Sequence, residues 1–291
     1  MKNSREPVTE ISHSYSLTSC TGETLFCKYW PTLEPPKALV FIAHGFAEHC
    51  MRYDDFAKAL VTRGVLTFAH DFVGHGRSSG PRALIKSFDD CTEDVFRHVD
   101  FMKAKYPNRP LFLIGFSMGG TIAIKAGLKR PYEFKGIVIL AGGIWLQPAD
   151  HKPYKRHLAN FFGKMIPSIP ASRIRLNKVL RTKEALKNRL ADPYMYNGPW
   201  LKVGYARALL NAVKELENQL ENTAFPMLII HGAQDKICDV RGAKKLYEST
   251  ISTDKMLKIY PISFHCLLDE PDGIPDQIIE DSVSWVNARV L

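Results

Sequence analysis

The sequence has 291 residues, of which 45% are hydrophobic and 24% charged, a composition typical of a globular chain that buries a substantial core. Its N-terminal residues are charged and lack an apolar signal region, and no apolar run reaches the ~18 residues that span a bilayer, so we expect neither a secretory signal nor a transmembrane helix. The six cysteines lack CxxC or metal-type spacing, which predicts free thiols in a reducing cytosol and no bound metal or cofactor.

The formal net charge of +9 is concentrated in one segment. Residues 150–190 contain eleven Lys or Arg against two acidic residues, and the rest of the chain is balanced. Such a local excess of positive charge predicts a surface for an anionic partner, either a membrane or a nucleic acid. The segment has no recognisable nucleic-acid-binding motif, so we expect a membrane and no nucleic acid.

Strand-like and helix-like patterns alternate along most of the chain. The stretches 12–19 and 24–30 flank a Thr-Gly turn and predict a leading antiparallel hairpin. Amphipathic segments such as 53–64 and 88–107 separate the apolar runs that follow. These runs are 38–44, 65–71, 110–116, 136–142, 227–232 and 256–261. The alternation predicts an α/β fold with a mostly parallel, eight-stranded sheet and helices on both faces.

The alternation stops between about residues 144 and 222, where prolines and basic residues are interleaved with large apolar residues. We expect an inserted cap here, because a disordered linker would leave those apolar side chains in water. The expected organisation is therefore a core of residues 1–143, a cap or lid of residues 144–222, and a second part of the core at residues 223–291.

Within this expected cap, one apolar set has helical spacing and predicts a stripe along a helix that Pro167 would end or kink. The set is Leu158, Phe161, Phe162, Met165, Ile166 and Ile169. An apolar stripe beside many cations is typical of a segment that lies in a membrane interface.

The stretch 111-LFLIGFSMGG-120 ends a buried apolar run in Ser117, between two glycines. This pattern is typical of a nucleophile elbow, a strained strand-to-helix turn that exposes the serine hydroxyl. GxSxG also occurs by chance, as a strand that ends in a Gly-rich helix start, so the interpretation depends on partners elsewhere in the chain.

A serine nucleophile needs a base, and the base needs a carboxylate that fixes its tautomer. In an α/β-hydrolase these residues follow in the order Ser, Asp, His, each just past the end of a strand. Asp235 and His265 occupy those two positions. Asp239 is the alternative acid, but it lies one helical turn further on. We interpret His231 and His98 as packed or surface residues.

An oxyanion hole for this serine requires two backbone N–H groups, one after the nucleophile and one after an earlier strand. Met118 provides the first, and Phe46, in 44-HGFAEH-49, is the predicted second donor. The stretch 71-DFVGHGRSSG-80 resembles a phosphate-binding loop in its glycines, but it lacks the Lys-Ser/Thr pair of a Walker loop. We interpret it as a structural turn that supports the site.

Several motifs in register resemble the monoacylglycerol lipase family of serine hydrolases. They are CKYWP, HGFAEH, HDFVGHGRSSG, GFSMGG, LLNAV, HGAQDKICD and LKIYPISFH. The match covers nearly the whole chain and is weakest across residues 145–200. The resemblance implies an α/β-hydrolase with a lipophilic cap that meets membranes, and the hydrolysis of monoacylglycerols to fatty acid and glycerol. It also implies site roles: Ser117, Asp235 and His265 as the triad, and Phe46 and Met118 as the oxyanion hole.

The resemblance further implies that Glu48 and Arg52 shape the glycerol-facing end of the pocket. Departures from the family pattern are Phe116 in place of His, Ala47 in place of Gly, and Leu268 where vertebrate members carry a second His. These departures leave the triad intact but affect the headgroup end. A lysophospholipase or general carboxylesterase on the same triad therefore stays open as the alternative.

An intact triad disfavours a third hypothesis, in which the chain is a catalytically inactive membrane- or nucleic-acid-binding protein on a hydrolase scaffold. The sequence as a whole predicts a cytoplasmic enzyme that associates peripherally with membranes, and it predicts no particular oligomeric state.

Overall fold

A computed structural model describes residues 13–145 and 153–290, with the backbone alone for 153–156. The strands are β1 (Ser14–Thr18), β2 (Thr24–Trp30), β3 (Ala38–Ala43), β4 (Val65–His70), β5 (Leu111–Phe116), β6 (Gly136–Leu140), β7 (Pro170–Arg173), β8 (Trp200–Lys202), β9 (Met227–Gly232) and β10 (Lys255–Tyr260). The α-helices are α1 (Asp54–Val61), α2 (Phe88–Lys105), α3 (Met118–Lys129), α4 (Pro153–Met165), α5 (Leu176–Val179), α6 (Lys183–Ala191), α7 (Val203–Glu217), α8 (Val240–Ser249) and α9 (Ile274–Asn287).

Eight strands form one sheet in the order β1-β2-β4-β3-β5-β6-β9-β10. The pairs β1·β2 and β2·β4 are antiparallel, and every later pair is parallel. The predicted α/β fold with a mostly parallel, eight-stranded sheet is therefore confirmed. Each of the eight strands lies within or overlaps its predicted run.

Both faces of the sheet are covered by helices, which explains why the strand sequences are apolar without alternation. In β3, Leu39 and Phe41 pack into a cluster with residues of α2, α3 and α8, whereas Val40 and Ile42 pack into a second cluster with α1 and α9. Successive side chains of a strand point to opposite faces, so a sheet buried on both faces needs apolar residues at every position.

The chain between β6 and β9 forms an additional layer, here called the inserted segment (its described residues are 144–145 and 153–222). It contains helices α4 to α7 and a small antiparallel pair, β7·β8. Helix α7 attaches the layer to the core, because Tyr205, Ala208, Ala212 and Leu216 join the cluster on the α2 face of the sheet. Helix α4 packs on α7.

The predicted apolar stripe is only partly helical. Helix α4 ends at Met165, two residues before Pro167, because a proline disfavours the helical conformation of the residue before it. Ile166 and Ile169 lie beyond the helix. The prediction that Pro167 ends the helix is therefore confirmed, whereas the expectation that these two residues continue the helical stripe is wrong.

The basic residues of the inserted segment also differ in their surroundings. Arg189 is buried, which contradicts its expected place among surface cations. Lys152 and the side chains of Lys155 and Arg156 lie outside the described residues. Among the residues that the structure describes, no helix combines the length and the apolar character needed to cross a bilayer.

Candidate active site

Ser117 occupies a sharp turn between β5 and α3, at the carboxyl end of the parallel strands. Its φ of 51° and ψ of −111° are rare for a residue with a Cβ, so the turn is strained. Gly115 and Gly119, two residues on either side of Ser117, must be glycine because there is no space for a side chain at either position. A Cβ on Gly115 would lie 2.3 Å from the backbone oxygen of Gly119, and one on Gly119 would lie 2.0 Å from that of Ala43. The GxSxG pattern is thus explained by close backbone packing.

The structure brings Ser117, His265 and Asp235 into one hydrogen-bonded chain. His265 Nε2 lies 2.8 Å from Ser117 Oγ, and His265 Nδ1 lies 2.7 Å from Asp235 Oδ2. All three residues are buried. An ionised carboxylate is only an acceptor, so Nδ1 carries the proton in this arrangement and Nε2 is free to accept from the serine hydroxyl.

Asp235 is held as a carboxylate by its surroundings. Its Oδ1 accepts hydrogen bonds from the backbone N–H groups of Ile237 and Cys238, at 2.8 and 2.9 Å. Burial alone would raise the pKa of Asp235, but electrostatic attraction to His265 and hydrogen bonds from His231 and His265 outweigh it and lower the pKa below its ordinary value. Asp235 therefore stays ionised at neutral pH.

His231 does more than pack in the core. It is fully buried, and its Nε2 lies 3.2 Å from Asp235 Oδ2, so it is a second histidine on the same carboxylate. Sequence reasoning missed this contact, although the position of His231 in β9, four residues before Asp235, was the available signal. Asp239, the alternative acid, instead begins helix α8 and pairs with Arg241 at 2.6 Å.

The backbone N–H groups of Phe46 and Met118 donate no hydrogen bond to any described residue, so both remain available to a ligand. His44 holds the loop that carries Phe46. The backbone N–H of Phe72 donates to His44 Nε2 at 3.0 Å, which leaves Nδ1 to donate to the Gly45 carbonyl at 2.8 Å. The ring of Phe46 also stacks on Tyr205 of α7, with 3.9 Å between centroids.

The Gly-rich stretch 71–80 is a structural support for this loop. Asp71 accepts hydrogen bonds from the backbone N–H groups of Cys50 and Arg77, each at 2.7 Å. Gly76 cannot carry a side chain, because a Cβ there would lie 2.0 Å from Asp71 Oδ2. Through the Asp71 carboxylate, the stretch therefore links the loop that follows β3 to the loop that follows β4.

A pocket of about 670 Å³ extends from Ser117 and His265 into the inserted segment. Its walls are largely apolar and come from α4, α7, β8 and the loops between them. Examples are Leu158, Phe162, Ile169, Leu201, Tyr205 and Leu209. Exposed cations, Arg173, Arg175, Lys178 and Lys236, lie on its rim. The shape and lining suit a single acyl chain.

One end of the pocket is polar. Buried Glu48 lines it and accepts hydrogen bonds from the Gly45 backbone N–H at 3.1 Å and from the Tyr53 hydroxyl at 2.9 Å. Arg52 lies 3.8 Å from Glu48, and its Nη2 donates to both carboxylate oxygens of Asp269, at 2.8 and 2.7 Å. Burial would raise the pKa of Glu48, but Arg52 and Arg189 outweigh it and lower the pKa, so Glu48 is ionised.

Asp235, Cys238 and His265 could in principle be considered as metal ligands, because their donor atoms lie within 4.8 Å of one another. Asp235 and His265 are already joined by a hydrogen bond, and burial raises the pKa of the Cys238 thiol well above its ordinary value. A protonated thiol is a poor metal ligand. We therefore assign Asp235 and His265 to the hydrogen-bonded chain of Ser117, and Cys238 to the lining of the pocket.

Comparison with known proteins matches residues 34–272 to the family model described as serine aminopeptidase, S33. Monoglyceride lipase from Mus musculus is 36% identical over 98% of this chain and 92% of its own length. The chain belongs to the monoglyceride lipase family. The Homo sapiens enzyme is also 36% identical, over 97% of this chain and 92% of its own length, and the monoacylglycerol lipase of Mycolicibacterium smegmatis is 30% identical, over 96% and 98%.

Solved structures of two relatives have the same fold. Monoacylglycerol lipase from Paleococcus ferrophilus superimposes with a TM-score of 0.82 at 22% identity, over 91% of this chain and 99% of its own. A soluble variant of Saccharomyces cerevisiae monoglyceride lipase in complex with a substrate analog gives a TM-score of 0.83 at 22% identity, over 99% of both chains. Family membership and fold together identify a serine ester hydrolase on the α/β-hydrolase fold.

Proposed function

We propose that this monoglyceride lipase family member hydrolyses monoacylglycerols to a free fatty acid and glycerol, with Ser117 as the nucleophile. The observation that carries the proposal is the chain of hydrogen bonds from Ser117 through His265 to Asp235 at the base of a largely apolar pocket with one polar end. The names of the relatives support this substrate, because their similarity extends over nearly the whole chain.

In the first half of the proposed reaction, His265 Nε2 removes the hydroxyl proton of Ser117 as the oxygen attacks the ester carbonyl. The N–H groups of Phe46 and Met118 stabilise the negative oxygen of the tetrahedral intermediate. His265 then donates its proton to the departing glycerol oxygen, which leaves the acyl chain on Ser117.

In the second half, a water molecule gives its proton to His265 and attacks the acyl-enzyme. The intermediate collapses, Ser117 regains its proton from His265, and the fatty acid is released. Asp235 stabilises the imidazolium in both halves through the 2.7 Å contact with Nδ1.

We further propose that residues 144–222 act as a cap over the core residues 1–143 and 223–291, and that the cap contacts membranes. Two observations support this. Phe161 and Met165 on α4 are exposed over 62% and 70% of their surfaces. Leu158 and Phe162 of the same helix line the pocket, so the exposed apolar surface adjoins the acyl-binding cavity. A poorly soluble substrate would thus enter directly from a bilayer.

The rim cations favour a second candidate reaction, the hydrolysis of lysophospholipids on the same triad. Arg173, Arg175 and Lys178 are exposed beside the pocket and would attract a phosphate-bearing lipid. The family resemblance implies a second histidine at position 268 in vertebrate members, and Leu268 provides no such polar group.

A hydrolysis panel of a monoacylglycerol, the lysophospholipid with the same acyl chain and a short nitrophenyl ester tests the proposed reaction. We expect the highest kcat/KM for the monoacylglycerol and its loss in Ser117→Ala. A higher kcat/KM for the lysophospholipid would favour the second candidate, and cleavage of the nitrophenyl ester alone would contradict both.

Sedimentation with anionic vesicles tests the membrane contact. We expect the triple variant Arg173→Gln, Arg175→Gln, Lys178→Gln to bind vesicles more weakly than the wild type, because each cation near the surface contributes up to about 1 kcal/mol at low salt. The matched control removes three exposed cations of the core: Lys86→Gln, Arg109→Gln, Lys135→Gln. Equal loss in both variants, or binding that is insensitive to salt, would contradict the role of this rim.

A further inference from the structure

Arg189 is a buried arginine whose guanidinium has no hydrogen-bond partner among the described residues. It lies in the last turn of α6, is only 5% exposed, and lines the pocket. No hydrogen bond or ion pair joins its guanidinium to any described residue, and its Nε is buried without an acceptor. Arg52, in the same neighbourhood, makes two hydrogen bonds to Asp269. The contrast singles out Arg189 as the arginine of this neighbourhood with a buried Nε donor that is unsatisfied.

A buried donor such as the Arg189 Nε–H without an acceptor is costly, because burial removes the water that would otherwise accept its hydrogen bond. Arginine cannot escape this cost by losing its proton. Ligand oxygens in the pocket would provide the missing acceptors. Arg189 therefore has the character of a binding residue that is left incomplete until substrate enters.

Charge decides which headgroup suits this end of the pocket. Burial acts to raise the pKa values of Glu48 and Asp269, and Arg52 and Arg189 both oppose this rise, so both arginines act on these two carboxylates. These two arginines are matched by the carboxylates of Glu48 and Asp269, and Arg52 also acts on Asp192, so the cluster has no excess of positive charge. A phosphate would add a buried negative charge beside the Glu48 carboxylate, which is unfavourable. A neutral polyol adds no charge and carries hydroxyl groups that both accept and donate hydrogen bonds.

We infer that Arg189 determines headgroup specificity by donating hydrogen bonds to the hydroxyl oxygens of a neutral glycerol headgroup, while Glu48 accepts a hydrogen bond from it. This inference rests on the proposed function. It assigns recognition of the headgroup to Arg189, a residue that no sequence motif identified. The cations on the rim then serve the membrane surface, and the buried pair Arg189 and Glu48 selects the substrate.

The test compares kcat/KM for three esters of one fatty acid: the monoacylglycerol, its glycerol-phosphate counterpart and the methyl ester. Charged hydrogen bonds contribute about 10- to 100-fold in binding. We expect Arg189→Met to reduce kcat/KM for the monoacylglycerol by about that factor, with a loss for the methyl ester at least tenfold smaller. Arg189→Lys keeps the charge but not the planar fork, so its loss should be intermediate.

Two controls separate a specificity role from a structural one. Lys187→Met removes an exposed cation of the same helix and should leave the ratio of the two rates unchanged. The rate of fluorophosphonate labelling checks that Arg189→Met keeps a folded site. Equal losses for both esters, no loss for either, or a wild-type preference for the phosphate ester would overturn the inference. If the wild-type protein cleaved none of the three esters, the proposed function itself would fail.

Discussion

The carboxyl ends of the parallel strands, here called the sheet edge, and the inserted segment rely on different kinds of interaction. At the sheet edge, Ser117, Asp235 and His44 are fixed by backbone strain, by backbone N–H groups and by buried hydrogen bonds. In the inserted segment, Phe161 and Met165 leave apolar surface in water. Rigid polar contacts suit ester hydrolysis, because catalysis tolerates little displacement of the reacting groups. Exposed apolar surface suits contact with a membrane and its poorly soluble lipids.

The largest expected effect comes from Ser117→Ala at the sheet edge. We expect kcat to fall by ~10⁴-fold or more for membrane-bound and soluble esters alike, because the nucleophile is lost. The free energy of unfolding should change by no more than about 1 kcal/mol, since the hydrogen bond from the hydroxyl to His265 contributes about that much. Steady-state kinetics and urea unfolding measure the two quantities. Substantial remaining turnover would place the chemistry elsewhere.

The choice of acid is the next most sensitive point. Asp235→Asn should lower kcat by about 10³- to 10⁴-fold, because the amide favours the wrong tautomer of His265. Asp239→Asn is the matched control, since this carboxylate pairs with Arg241, and its kcat should stay within about threefold of the wild type. If the two variants were equally impaired, the assignment of the acid would be wrong.

The loss of folding stability at low pH should depend on the buried histidine His98. Burial lowers the pKa of His98 to about 3, far below its ordinary 6.5. As pH falls below about 6.5 the unfolded chain takes up a proton that the folded chain refuses, which costs about 2 kcal/mol of stability near pH 5.

We expect His98→Gln to reduce the difference in unfolding free energy between neutral pH and about pH 5 by about that amount. His157→Gln, an exposed histidine of α4, is the control and should keep the full difference. Urea unfolding at the two pH values measures it, and an unchanged difference in His98→Gln would refute the role of this histidine.

The smallest expected effect lies on the inserted segment. Phe161→Ser should weaken vesicle binding by about tenfold, because it removes an apolar side chain that would enter the membrane interface. Turnover of a soluble short-chain ester should be unaffected. The control is Leu33→Ser, which removes a fully exposed leucine that lies outside the inserted segment. Vesicle sedimentation compares them, and equal binding by Phe161→Ser and the wild type would exclude this helix as the contact.

The same contrast explains what the sequence could predict. The strands were predictable because a sheet buried on both faces requires continuous apolar runs. The contact between Ser117, Asp235 and His265 was predictable because the fold places each one just past a strand end, at a fixed order in the chain.

The contacts of Arg189 and His231 were not predictable, because both depend on which distant residues surround them once the chain has folded. The short strands β7 and β8 escaped notice for a related reason. Segments of three or four residues carry too little periodicity to be recognised.

Covalent labelling with a fluorophosphonate, followed by peptide mass spectrometry, tests the central claim most directly. The reagent reports a serine that a neighbouring base has activated, regardless of headgroup or membrane. We predict one adduct per chain, on the peptide that contains Ser117, with loss of hydrolysis in proportion to labelling and no adduct in Ser117→Ala. An adduct on another residue, or full labelling of Ser117 with hydrolysis retained, would contradict the account.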